Sequence, residues 1–107
     1  MAFDIGVVLK DMLTAAGDVL KDEEPKVKQC LKDAVEAEKG ALDDIARARL
    51  AKEITAKEMQ SQIADEKDAL KAALLVCQIK SKVAAQKAIN AAAAVFEGAV
   101  KAALKAL

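Results

Sequence analysis

Apolar residues recur at three- and four-residue steps from Ile5 to Leu104, and a single proline, Pro25, interrupts them. That spacing constrains the fold more than any other feature, because a 3.6-residue period puts such residues on one side of a helix. A sheet would need Val, Ile, Tyr and Thr alternating with period two, and no stretch does so. Ala, Leu, Lys and Glu fill more than half of the chain, beside only four glycines and two phenylalanines. Such a composition belongs to long helices or coiled coils. At 107 residues the chain is expected to form one domain, residues 1–107, around a single modest core.

The first helix is expected over residues 3–21, where Ile5, Val8, Leu9, Met12, Ala16, Val19 and Leu20 make one apolar stripe. Asp22-Glu23-Glu24-Pro25 then breaks the pattern, and proline fits the first turn of a new helix. The second helix is expected over residues 25–53, with Val27, Leu31, Val35, Leu42 and Ile45 inward and Gly40 kept inside it. Thr55 and Glu58 stand in capping-box spacing, flanked by Ile54 and Met59 as a hydrophobic staple. They start a third helix that nothing forces to stop before Lys105, expected over residues 56–105. It carries two seams, one through Leu70, Leu74 and Cys77, the other through Leu75, Ile79 and Val83.

Lengths decide how these pieces can pack. A third helix of about 50 residues would be roughly 75 Å long, whereas the second covers about 44 Å. Folded antiparallel about Thr55, the second helix leaves everything beyond Ala84 uncovered. The apolar surface of Ala84, Ala88, Ala91, Ala92, Val95, Phe96, Ala99, Val100 and Leu104 must therefore meet the first helix or a second copy of the chain. The expected fold is all-α: a bundle of about three helices with a long C-terminal helix in an antiparallel hairpin. Coiled-coil-like packing and self-association, first as a homodimer, complete it.

The formal net charge is zero, so no overall field draws the chain to nucleic acid. Residues 1–70 nevertheless carry 11 basic and 16 acidic side chains, whereas residues 71–107 carry six lysines against Glu97 alone. Opposite charges on packed helices attract, and a basic end also suits an acidic partner or an anionic membrane. Cys30 and Cys77 sit on apolar stripes, which reads as two buried, inert thiols. The antiparallel register also puts Cys30 opposite Lys80, one turn from Cys77, close enough for a disulfide. Residues 1–13 include Asp4, Lys10 and Asp11 and lack the basic start of a signal peptide, so a reducing, cytoplasmic setting is expected.

Catalytic chemistry finds little to work with. There is no histidine, and Ser61 and Ser81 have no base beside them. No glycine-rich phosphate loop occurs. The carboxylates Glu36/Glu38, Asp43/Asp44 and Asp65/Glu66/Asp68 fall among lysines, as on a solvated, ion-paired surface rather than a metal centre. Gln78, Lys80, Lys82, Gln86 and Lys87 lack the aromatic neighbours and density of a nucleic-acid face. No enzyme, metal or cofactor is expected. The chain reads as a non-enzymatic helical assembly or protein-interaction protein, such as small bacterial or phage accessory proteins often are. The second reading is a membrane-associated helical protein using the basic C-terminal third, whose Lys and Leu spacing over residues 95–107 resembles membrane-surface helices.

Overall fold

Side chains fix the starts of three helices by accepting hydrogen bonds from N–H groups that the first turn leaves free. A computed structural model describes residues 3–107, and among these it contains five helices and no strand. Asp4 caps α1 (Ile5–Val19), its Oδ1 accepting from the Gly6 and Val7 N–H groups. Thr55 caps α4 (Ala56–Val76) and Ser81 caps α5 (Lys82–Ala106). Pro25 opens α2 (Pro25–Ala37), and α3 (Lys39–Leu50) follows after Glu38 alone.

The capping box expected at Thr55 is present. Thr55 Oγ1 accepts from the Glu58 N–H at 3.1 Å, and Glu58 Oε1 accepts from the Thr55 N–H at 2.9 Å. Met59 is buried and Ile54 packs against the core, as a staple should. Just before it, α3 ends in a Schellman turn. Lys52 takes a left-handed φ of 60°, its N–H donates to Arg49 O, and the Glu53 N–H donates to Ala48 O.

Two of the expected helices are each divided. The second bends at Glu38 (φ −90°, ψ 1°), which closes α2 and opens α3, so Gly40 lies in the first turn of α3. The bend changes the neighbours of this arm: α2 lies on α1 and α4, whereas α3 also reaches α5. The third reverses between Val76 and Lys82. Gln78 adopts φ 61°, and the Cys77 N–H closes α4 onto the Ala73 and Leu74 carbonyls. Instead of one helix of roughly 75 Å, the chain has two of about 32 and 38 Å, which fit a molecule 41 Å long.

The result is a compact all-α fold in which α2 with α3 form the bent second arm. α5 returns alongside α4 and α1, and α1 packs on α5 more extensively than on any other helix. Phe3, just before α1, meets Phe96 edge-on with ring centroids 6.1 Å apart. Buried alanines at Ala85, Ala88, Ala92 and Ala93 give α5 a shallow face that α1 can approach closely. Phe96, Met12, Leu20 and Leu74 are the largest side chains of the core, each stabilising by roughly 1.5–3 kcal/mol. Among the described residues no polar or charged side chain is buried with them.

Candidate functional site

The end of the bundle where α4 turns into α5 combines firm anchoring with exposed apolar side chains. Cys77, the residue that closes α4, is joined to Cys30 of α2 by a disulfide, with their Cα atoms 6.1 Å apart. Two buried, inert thiols were expected; the alternative, the bond suggested by the register, is what forms. Ile79 folds back into the core. Lys80 Nζ lies 3.6 Å from Glu24 Oε1, at the residue that precedes α2, and Lys26 Nζ lies 3.4 Å from Glu24 Oε2. Their hydrogen bonds and positive charges, Lys26 first, hold the Glu24 carboxyl below its ordinary range. Ser81 Oγ then accepts from the Ala84 N–H at 3.1 Å and starts α5.

This turn is tied down at four successive points, yet its large aliphatic side chains face outward. Leu75 is 43 % exposed, Val76 83 % and Val83 65 %. The periodicity places Leu75 and Val83 on an inward seam with Ile79, Ile89, Phe96, Val100 and Leu104. The chain reverses at Gln78, and of the three seam residues at the turn only Ile79 is buried, while Ile89, Phe96 and Val100 are buried farther along. Lys80, Lys82 and Lys87 are exposed beside them, and no acidic residue occurs between Asp68 and Glu97.

The interface assigned from sequence lies elsewhere. Ala88, Ala92, Phe96 and Val100 are buried within the chain, while Ala84, Val95, Ala99 and Leu104 are partly buried against the same core. Ala91 is half-buried. α1 packs on α5 more extensively than any other helix does, and Phe3, just before α1, meets Phe96.

A second cluster lies at the bend of the second arm. Glu66 is pushed up to about 7 by its hydrogen bond with the Glu38 carboxyl, then by burial and by the negative charges of Glu38 and Asp65. Glu66 Oε2 is buried without a hydrogen-bond donor. Beside it, Asp43 accepts from Arg47 Nε at 2.8 Å and raises the guanidinium further. Among the described residues no group of three or more acidic or cysteine side chains is placed to hold a metal ion. The cavity between Met12, Leu42, Ile63, Leu70 and Phe96 measures about 10 Å³, barely the volume of one water.

Among the described residues no helix is long and apolar enough to cross a membrane. Comparison with family models, with curated proteins and with solved structures yields no match, so the chain's own geometry carries the functional argument.

Proposed function

We propose that the chain is a non-enzymatic helical interaction module whose working surface is the α4–α5 end of the bundle. One observation carries this reading: the turn is anchored by a disulfide, an ion pair and a helix cap while Leu75, Val76 and Val83 remain exposed. Aliphatic side chains on a fixed backbone lose little conformational entropy on docking, so such a turn is organised for contact in advance. The lack of histidine supports binding rather than catalysis as the protein's work.

The extensive packing of α1 on α5 supports a reading in which α5 is covered within the chain. The Cys30–Cys77 bond favours an oxidising compartment over the reducing cytoplasm. A photo-crosslinking residue placed at Val76, with one at the exposed Ala64 in α4 as control, tests the working surface in the native host. Adducts from Val76 and not from Ala64 are expected. Equal yields from both positions, or none from Val76, would refute the assignment.

A further inference from the structure

We propose that the α4–α5 turn docks on an anionic membrane surface, with Leu75, Val76 and Val83 among the acyl chains and Lys80, Lys82 and Lys87 at the headgroups. This inference rests on the α4–α5 end being the working surface and names its partner. Area argues first. The exposed parts of Leu75, Val76 and Val83 amount to roughly 300 Å², short of the roughly 450 Å² of apolar area that each partner contributes to a stable protein interface. A second copy of the chain meeting this patch would be held weakly. A bilayer imposes no such minimum, because each inserted side chain gains independently by leaving water.

Charge argues for the same occupant. Lys71, Lys80, Lys82 and Lys87 stand in a stretch without acids. At the same end, the C-terminus of α1 and the loop to α2 bring Asp18, Asp22, Glu23 and Glu24 beside Lys21, Lys26 and Lys28. Lysines therefore outnumber acids at this end by seven to four, and Glu24 is already paired with Lys26 and Lys80. An anionic surface meets a net positive rim with apolar side chains at its centre. Geometry agrees: the turn joins the end of α4 to the start of α5, and the disulfide at Cys77 holds it in place as the exposed side chains insert.

Co-sedimentation of the intact, disulfide-bonded chain with vesicles tests this, using phosphatidylcholine alone and phosphatidylcholine with about 30 % phosphatidylserine. Binding is expected to the mixed vesicles, weakening as salt rises from about 0.05 to 0.5 M. Each lysine near an anionic surface strengthens partitioning roughly fivefold, so Lys80→Glu with Lys82→Glu should lower it by about 25-fold or more. Val76→Ser with Val83→Ser should lower it by roughly tenfold or more, mostly in the salt-resistant part. Both residues are exposed, so the circular dichroism and melting of this variant should match the parent. Absence of binding at the lowest salt, or equal binding by parent and both variants, overturns the proposal. If vesicles fail while Val76 crosslinks to a defined protein, the lipid partner is refuted and the docking surface stands. If both fail, the whole reading falls.

Discussion

Opening the Cys30–Cys77 bond should remove about 4 kcal/mol of stability. The bond spans 47 residues, and loop-closure entropy in the unfolded chain gives roughly that figure for a loop of such length. A domain of this size has about 5–15 kcal/mol in all, so the loss is a large fraction of the total. Replacing both residues, Cys30→Ser and Cys77→Ser, measures it without reductant. Each cysteine is half-buried, so a serine hydroxyl can still reach water and adds little penalty of its own. With a urea m-value of about 1.5 kcal/mol per M, the unfolding midpoint should fall by roughly 2.5 M. The parent chain in reductant should match the double variant. Amide exchange should quicken most around Ile79 and Ser81, which lose their nearest anchor, and least in the middle of α1. A midpoint shift below about 0.5 M, or two titratable thiols in protein purified without reductant, would refute the reasoning.

Three other changes probe separate parts of the bundle. The Glu66 carboxyl is raised from 4.5 to about 7, so its contribution is complete below the unfolded value and is lost as pH rises to 7 and beyond. Glu66→Gln should therefore flatten the pH dependence of melting between about pH 4.5 and 7 and stabilise at alkaline pH by about 1–2 kcal/mol, allowing for solvent screening; an unchanged profile would count against the raised Glu66 carboxyl. Lys52 holds a left-handed φ of 60°, so Lys52→Gly should stabilise by about 0.5 kcal/mol and raise the melting temperature by a few degrees. Any fall in that temperature would contradict the Schellman turn. Ala92 is buried in the core on α5, and Ala92→Leu should cost about 1–3 kcal/mol in chemical unfolding. No loss would mean that the core is not closely packed there.

What the sequence disclosed depends on how far apart the interacting groups lie. The box of Thr55 and Glu58 joins residues three apart, so its spacing is written in the chain and the structure has it. Pro25 marked the start of α2 for the same reason. The reversal between α4 and α5 had no comparable signal. Gln78 sits in the left-handed region without being glycine, and Cys77 is held by Cys30 from 47 residues away. Ser81 was a usable sign, since its hydroxyl caps α5, but serine also occurs inside helices. Gly40 marks a weak point inside a helix expected to be continuous, whereas the chain divides two residues earlier, at Glu38. The buried character of Ala88, Ala92, Phe96 and Val100 followed from periodicity. Periodicity is silent about Leu75 and Val83: an apolar residue in helical register looks the same whether a neighbour covers it or water does.

The pairing of α1 with α5 also sets the order in which the molecule can be assembled. The most extensive helix–helix packing joins the two helices farthest apart in sequence. During synthesis α1 leaves the ribosome well before its main partner exists, and its apolar stripe must wait through the making of α2, α3 and α4. The capped α4 and the second arm can associate early, but the core around Phe96 closes only when α5 arrives. Contacts of such long sequence separation slow folding and bind the bundle into one cooperative unit, in which loosening α5 at once deprives α1 of its support.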